Sequence, residues 1–307
     1  MSQRSLKLGL CLPLVEDPQS GRVPRWDEIR ASAAAAEQMG LDTVWIPDEL
    51  LWRNPQWPGP RGWWECVAIA GAVAACTSRI SVGTWVMANL YRNPTLTAKI
   101  VETLDEIAGG RFVFGIGSGS GDSEAEAFGY PRDHVYTRFE EALEILLPLL
   151  KTGRVEHRGT YYQATDLELR PRGPRPGGIP LMIGAHGPKM IRLAARHADV
   201  WSGFATEGSH AAGFVPLLDE VTRACDEVGR DPASIGRSVG VFVEPTEATG
   251  AAASGVGEPI RGSAQKIAEA IAEFAAAGVT QVEMWPWPFS LNTVEALAPI
   301  VAALDQA

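Results

Sequence analysis

The sequence predicts an α/β protein in which eight parallel strands close into a TIM, or (β/α)8, barrel. Three observations predict it: short apolar runs end abruptly at glycine, proline or polar residues, helix-length segments separate most of them, and the chain has 307 residues. Strands that alternate with helices form a parallel sheet, and eight such units in about 250–300 residues suit a closed barrel. The runs are residues 8–12, 43–46, 80–86, 110–119, 180–183, 198–201, 238–243 and 281–285.

The segments between these runs carry helix signals. Gly40 ends a helix predicted over residues 24–39, because glycine commonly follows a helix end. Asn93 and Pro94 begin another helix as a capping residue followed by proline in the first turn. Further helices are predicted at about 136–151 and over 188–196, 211–228, 264–277 and 293–304.

The spacing of the strands is uneven after the fourth. About sixty residues separate Gly119 from Pro180, which is too many for one βα unit. We predict one domain over residues 1–307 with an insertion at approximately 120–178 that covers the barrel mouth. Within it, residues 160–163 and 166–169 are candidates for a hairpin. The Gly- and Ala-rich segment 244–262 predicts either a mobile lid or an irregular loop.

Composition excludes several classes of partner. The net charge is −10 without a basic run, which argues against nucleic acid and anionic membranes. No apolar stretch approaches the roughly 20 residues of a membrane helix, and the first residues lead into a strand without a signal-peptide pattern. We therefore expect a cytoplasmic protein. No metal is expected, because the cysteines form no Cys-x-x-Cys pair; they are Cys11, Cys66, Cys76 and Cys225.

Tryptophan is common, with 10 residues, and its placement is informative. Most of these residues lie at strand ends or in the loops that follow, so they would crowd one rim of a barrel. An aromatic-walled cavity suits a flat conjugated ligand, although large aromatics can also simply fill the barrel end. The strand-end residues are Trp45, Trp85, Trp201 and Trp285, and the loop residues are Trp52, Trp57, Trp63, Trp64 and Trp287.

Few polar residues follow the strands. The candidates are Glu16, Asp17, Asp48, Glu49, His186 and Glu283. His186 stands out because it lies in a glycine-containing loop, where backbone can approach a ligand closely. Pro188 then begins a helix, whose first backbone amides can hold an anion such as phosphate.

Known catalytic motifs are absent from the sequence. There is no phosphate-binding Gly-x-x-x-x-Gly-Lys, no Gly-x-Ser-x-Gly with a triad, and no clustered metal-ligand set. The run from Gly115 to Ser120 approaches a dinucleotide fingerprint but has serine in place of the last glycine. The sequence therefore predicts that a cofactor carries the chemistry and the protein positions it.

Six blocks between residues 6 and 203 resemble the bacterial luciferase-like flavin-dependent oxidoreductases. Members of this family are TIM barrels with an insertion after the fourth strand, and they use either FMN or the deazaflavin coenzyme F420. The blocks are residues 35–48, 82–94, 104–119, 138–162, 180–188 and 194–203.

The resemblance implies F420 as cofactor, with FMN as the alternative. Residues 83–86 look like the bulge that cradles the deazaflavin ring, with a cis peptide bond between Trp85 and Val86 by analogy. Residues 116–122 lack the arginine that FMN enzymes of this family often carry, and 184–188 look like a phosphate-holding turn. The implied cofactor contacts are Asp48, Trp85, Val86, Ala88, Gly117, Ser118, Gly119, Gly184, Ala185, His186 and Gly187.

The chain departs from the sugar-phosphate dehydrogenases of this family. They have histidine where Glu49 stands and glutamate at the position of Gly119 or Ser120, so a sugar-phosphate substrate is disfavoured. Glu49 is the first candidate for the catalytic acid or base, because an aromatic rim disfavours its charged form; Glu16 and His186 follow. The expected substrate pocket comprises Trp45, Trp52, Arg53, Tyr91, Trp201, Trp285 and Trp287.

The expected reaction is hydride transfer between F420 and an apolar carbonyl, alcohol or enone. Two alternatives remain at this stage: an FMN-dependent monooxygenase that works with a separate flavin reductase, and a non-catalytic flavin-binding protein. The resemblance also implies a homodimer through helices of the N-terminal half, and a flavin or F420 reductase that supplies reduced cofactor.

Overall fold

A computed structural model describes residues 4–18, 20–55, 57–119, 123–205, 209–245 and 258–306. It confirms the predicted TIM barrel, with all eight predicted strands in place. The strands are β1 (Lys7–Cys11), β2 (Thr43–Ile46), β3 (Ser81–Thr84), β4 (Phe112–Gly117), β5 (Leu181–Gly184), β6 (Val200–Phe204), β7 (Gly236–Pro245) and β8 (Gln281–Pro286).

Every barrel strand pairs in parallel with the next, and β8 pairs with β1 to close the ring. At the closure Gly9 of β1 lies opposite Thr43 on one side and Glu283 on the other. Because all eight strands are parallel, their carboxyl ends meet at one rim, where a barrel places its chemistry.

The predicted helices are present, and two that were not predicted, Cys66–Cys76 and Ser123–Ala127, join them. The helix predicted over 293–304 is two helices, Leu291–Glu295 and Ala298–Leu304, separated at residues 296–297. None of the described helices is long and apolar enough to cross a membrane. The helices are α1 (Trp26–Gln38), α2 (Cys66–Cys76), α3 (Pro94–Ile107), α4 (Ser123–Ala127), α5 (Val135–Thr152), α6 (Pro188–His197), α7 (Ala211–Glu227), α8 (Ala264–Ala276), α9 (Leu291–Glu295) and α10 (Ala298–Leu304).

The insertion contains α4, α5 and a hairpin, but the hairpin lies earlier than predicted. Its antiparallel strands are Arg154–Arg158 and Gln163–Glu168, so the predicted strand at 160–163 is mostly the turn. The Glu141 carboxylate on α5 accepts backbone N–H bonds from Thr160, Tyr161 and Tyr162, which fixes that turn. Residues 120–122 and most of the predicted lid at 244–262 lie outside the described residues.

Large aromatic side chains fill the barrel because glycines on the facing strands leave them room. A Cβ on Gly9 would lie 2.3 Å from Trp45 Nε1, and one on Gly83 would lie 2.3 Å from the Trp45 ring. A Cβ on Gly240 would lie 2.2 Å from the Trp85 ring. Real Cβ atoms do not approach other atoms so closely, so these tryptophans can occupy the interior only opposite glycine.

Glu283 is fully buried between β7 and β1. Its Oε1 accepts hydrogen bonds from Ser238 Oγ at 2.9 Å and from the Gln281 amide. Burial raises the pKa of Glu283 to about 8, although the bonds from Ser238, Gln281 and Trp45 oppose the increase. At neutral pH this carboxyl group is therefore mostly protonated.

The buried proton makes stability depend on pH. Between about pH 4.5 and pH 8 the folded protein holds a proton on Glu283 that the unfolded chain has released, so the free energy of unfolding falls as pH rises. The Glu283→Gln variant keeps the side-chain shape but cannot titrate. We expect the stability of the wild type relative to this variant to fall by on the order of 4 kcal/mol across that window. Urea unfolding at several pH values measures the difference; parallel stability curves would contradict the buried, protonated state.

Candidate active site

A cavity of about 780 Å³ opens at the carboxyl ends of the barrel strands. It brings together most of the predicted cofactor residues with part of the predicted substrate pocket. It is lined by Asp48, Glu49, Trp52, Trp85, Val86, Met87, Ala88, Tyr91, Gly117, Ser118, Gly119, Glu124, Gly184, Ala185, His186, Met190, Ser202, Gly203, Phe204, Phe242 and Trp285.

A bulge after β3 forms the wall nearest the barrel axis. The Trp85–Val86 peptide bond is cis, as the resemblance predicts, and the chain then resumes strand pairing at Met87 and Ala88 against β4. Thr84 supports the bulge from behind: its hydroxyl donates to Gly115 O at 2.8 Å and accepts from Gly115 N at 3.1 Å. The bulge is thereby bonded to β4 on both of its sides.

Glycines of β4 and β5 receive the Val86 side chain. A Cβ on Gly184 would lie 2.8 Å from Val86 Cγ2, and a Cβ on Gly117 would lie 3.0 Å from the same atom. Gly115 is equally constrained, because its Cβ would lie 1.9 Å from Thr84 O. This part of the cavity is therefore lined by glycine backbone and the Val86 side chain, with no larger side chain among them.

Asp48 ties β2 to the bulge. Its Oδ2 accepts the Ala88 N–H at 2.8 Å, and its two oxygens take both terminal nitrogens of Arg92 at 2.5 and 2.8 Å. Burial would lower the pKa of the Arg92 guanidinium, but the bonds to Asp48 outweigh it and raise that pKa. Although Asp48 lines the cavity, its carboxylate oxygens are engaged in holding the wall.

Part of the lining is aromatic. The Trp285 ring lies 5.7 Å from Trp85 and 5.5 Å from Phe242, and Phe204 lies 5.9 Å from Trp85. The pairs are tilted or edge-on, which is the favourable arrangement for aromatic rings. These rings form an apolar surface that continues from Trp85 of the bulge.

The acid and base candidates lie in different surroundings. Glu49 lines the cavity. Glu124 also lines it, but its Oε1 accepts the N–H groups of Leu50 and Leu51, so it holds the loop after β2. His186 lies at the rim on the loop before α6, where partial desolvation lowers the pKa of its imidazole. Glu16 is outside the cavity, and its Oε2 accepts the Gly62 N–H at 2.8 Å.

The amino end of α6 adjoins the cavity. Gly187 caps the helix with φ 75°, Pro188 occupies its first turn, and Met190 in that turn lines the cavity. Backbone N–H groups at a helix start lack partners within the helix, so they favour an anion. None of the described lining residues is a lysine or an arginine.

Three predicted pocket tryptophans lie elsewhere. Trp45 lies inside the barrel over Gly9 and Gly83, below the cavity. Trp201 packs outside the barrel against Phe214 of α7, with its indole N–H donating to Ala185 O at 3.0 Å. Trp287 is buried against Phe289, with ring centroids 4.9 Å apart. The position of a tryptophan at the end of a strand does not reveal whether its ring points into the barrel or out toward the helices.

Three further predicted site residues are also absent from the lining. Arg53 is exposed to solvent, Glu16 binds the neighbouring loop as described above, and Gly187 caps α6 just beyond His186. The prediction also missed several lining residues. Phe204 and Ser202 were missed because strand 6 was predicted to end at Trp201, and the alternation of side chains along a longer strand would have identified them. Glu124 gives no signal in the sequence because the insertion alone places it.

Comparison with known proteins identifies relatives. Residues 6–261 match the family model described as luciferase-like monooxygenase. The 5,10-methylenetetrahydromethanopterin reductase of Archaeoglobus fulgidus is 31% identical over 206 residues, covering 67% of this chain and 57% of the relative. The F420-dependent glucose-6-phosphate dehydrogenase of Amycolatopsis mediterranei is 32% identical over 206 residues, covering 65% and 60%. The chain thus spans about three fifths of the length of these relatives.

Solved structures share the fold. An F420-dependent secondary alcohol dehydrogenase in complex with an F420-acetone adduct superimposes with a TM-score of 0.80 at 17% identity, covering 97% of this chain and 99% of that chain. The coenzyme F420-dependent tetrahydromethanopterin reductase from Methanopyrus kandleri gives 0.75 at 20% identity, covering 97% and 98%. A long-chain alkane monooxygenase gives 0.77 at 13% identity, covering 98% and 92%.

The fit between Val86 and Gly184 can be tested by substitution. Gly184→Ala places a Cβ 2.8 Å from Val86 Cγ2, and the stiff β-branched valine has little room to yield. We expect a loss of about 1–3 kcal/mol in the free energy of unfolding, measured with urea. Gly71→Ala is the matched control, because its Cβ meets nothing closer than 3.7 Å and α2 gains from alanine. If the double variant with Val86→Ala lost the full sum of the single losses, the clash would be disproved.

Proposed function

Because the chain belongs to the luciferase-like monooxygenase family, we propose that it is an oxidoreductase that transfers a hydride between coenzyme F420 and an apolar carbonyl, alcohol or enone. The observation that carries the proposal is the cavity itself. Val86 with the glycines that pack against it and a cluster of aromatic rings line the same cavity. The relatives named F420-dependent support the choice of cofactor.

The residues present fit a deazaflavin. Gly117 and Gly184 make room for Val86, and these three residues line the cavity together, so a flat ring system can lie against a surface of backbone and one small aliphatic side chain. The Ala185 N–H is bonded to Ser202 O at 3.1 Å, so the N–H groups of His186 and Gly187 and of the first turn of α6 would hold the phosphate. No lysine or arginine is among the described lining residues. When bound, F420 supplies a carbon, C5 of the deazaflavin ring, that accepts or gives a hydride.

The chain's own residues orient the substrate and control the proton. Phe204, Phe242 and Trp285 offer an apolar wall that excludes water from the reacting atoms. Glu49 is the carboxyl group of the lining that we assign to donate a proton to the substrate oxygen or to accept one from it.

The assembly is part of the same proposal. Leu96 and Ile107 of α3 are 53% and 42% exposed, and their spacing of eleven residues puts them on one face of the helix. We assign this face to a homodimer interface, which sedimentation analysis tests directly; a monomer at micromolar concentration would argue against it. A separate reductase that supplies reduced cofactor in the cytoplasm completes the proposed system.

The cofactor is tested by titration. Trp52, Trp85 and Trp285 line the cavity, so a bound conjugated ring should quench their fluorescence. We expect saturable quenching by F420 and little by FMN, with turnover followed as the change in F420 absorbance on a panel of ketones, alcohols and enones. Tight FMN binding with oxygen-dependent turnover would instead indicate a monooxygenase. A stable complex without turnover would indicate a flavin-binding protein.

Two glutamates near the barrel rim form a matched pair for the acid/base assignment. We expect Glu49→Gln to lower kcat by about 10²–10⁴-fold while F420 binding persists, because an amide cannot transfer the proton. Glu16→Gln should leave kcat unchanged, because Glu16 lies outside the cavity. Steady-state kinetics with the best substrate of the panel decide the matter. Equal rates for wild type and Glu49→Gln would remove Glu49 from the mechanism.

A further inference from the structure

A column of polar side chains runs from the cavity into the barrel interior. Ser202 of β6 lines the cavity, and its hydroxyl accepts the Trp85 indole N–H at 2.8 Å. The Ser202 and Ser238 hydroxyl oxygens are 3.5 Å apart, and Ser238 donates to Glu283 Oε1 at 2.9 Å. Ser202 is 3% exposed, and Ser238 and Glu283 are fully buried, so the Glu283 end of the column has no contact with solvent.

The strand register accounts for this alignment. Ser202 lies opposite Ser238 where β6 pairs with β7, so their side chains are neighbours on the inner surface. Glu283 lies opposite Gly240 on β7 and Gly9 on β1. A Cβ on Gly9 would lie 1.8 Å from Glu283 Oε2, so only glycine leaves room for this carboxyl group.

Hydrogen-bond direction gives the column a polarity. The Trp85 indole can only donate, so Ser202 accepts from it and keeps its own hydrogen for Ser238 or for a group in the cavity. Ser238 likewise donates to Glu283, although both hydroxyl groups can rotate. In this orientation the column passes a proton inward to Glu283; outward transfer requires both hydroxyl groups to rotate and the Glu283 proton to lie on Oε1.

We propose that Ser202, Ser238 and Glu283 form a proton relay that joins the cavity to a proton store inside the barrel. The proposal rests on the proposed function. In carbonyl reduction the hydride forms a C–H bond as the C=O π bond breaks, and the substrate oxygen takes the Glu49 proton, which Ser202 then restores across the cavity that both residues line. Ser238 restores the Ser202 proton and Glu283 restores that of Ser238, which leaves Glu283 as the carboxylate. Alcohol oxidation returns the proton by the same steps.

The surroundings suit a carboxyl group that both holds and releases a proton. Burial raises the pKa of Glu283 to about 8, and the charge of Asp42 contributes to the increase. The other titratable group packed against it is Cys11, whose thiol is kept neutral chiefly by burial and further by Glu49 and Glu283. Gln281 and Trp45 are the remaining polar neighbours, and neither titrates.

Isotope exchange tests the relay without turnover. The buried protonated carboxyl group gives an infrared band that shifts in D2O and is absent from Glu283→Gln. We expect Ser238→Ala to slow this shift at least ten-fold, because the hydroxyl that connects Glu283 to the cavity is gone. Ser32→Ala, which removes a buried serine hydroxyl in α1 far from the column, is the control and should exchange like wild type. Equal exchange rates in the wild type, Ser238→Ala and Ser32→Ala would overturn the relay.

Kinetics provide the second measurement. We expect Ser238→Ala and Glu283→Gln to lower kcat at least ten-fold, with Glu283→Gln also losing the ionisation near pH 8 from the pH profile of kcat. F420 affinity, measured by tryptophan quenching, should stay within about two-fold, since neither residue lines the cavity. An unchanged pH profile in Glu283→Gln would refute the relay. If the wild type did not bind F420, the proposed function would be refuted. The isotope-exchange measurement needs no F420, so it would still test whether Ser202, Ser238 and Glu283 pass protons.

Discussion

The packing of Val86 against bare glycine backbone is the constraint on which the site depends. Only because Gly117 and Gly184 lack side chains can the chain leave β3, place Val86 between β4 and β5 and rejoin the sheet at Met87. The Asp48–Arg92 ion pair and the Thr84–Gly115 bonds hold this arrangement from either side. A barrel strand that would otherwise continue straight thus becomes one wall of a cavity, with bare backbone beside it.

Glycines also make room for large side chains in the barrel interior below the cavity. Trp45 and Trp85 are too large for an ordinary barrel layer, and Gly9, Gly83 and Gly240 supply the missing space. Each indole also brings one N–H group that needs an acceptor. The Trp85 N–H finds Ser202, and this requirement draws polar side chains into a region that aliphatic residues would otherwise fill. The polar column is therefore a consequence of how the barrel is packed.

The strands were predictable because each apolar run ends near glycine, proline or a polar residue, and that signal is local; it marks the existence of a strand better than its end, since strand 6 continues through Ser202 to Phe204. The orientation of the rings was not, since Trp45, Trp201 and Trp285 occupy equivalent places in the sequence but lie inside, outside and at the cavity. The glycines opposite Trp45 lie on neighbouring strands, so only the register reveals them. Glu124 reaches the cavity through the fold of the insertion, for which the sequence offers no periodic signal.

Two carboxyl groups lie at different depths: Glu49 lines the cavity, and Glu283 lies in the barrel interior. The Cys11 thiol feels both Glu49 and Glu283, so the two acids act on one poorly solvated region. Burial disfavours a negative charge on Cys11 and on Glu283, so this part of the barrel interior favours neutral groups that carry their protons. Charge at the cavity wall lies instead where a partner compensates it, because the Asp48 carboxylate accepts two hydrogen bonds from the Arg92 guanidinium. The site thus separates a protonated carboxyl group in the interior from an ion pair at the wall.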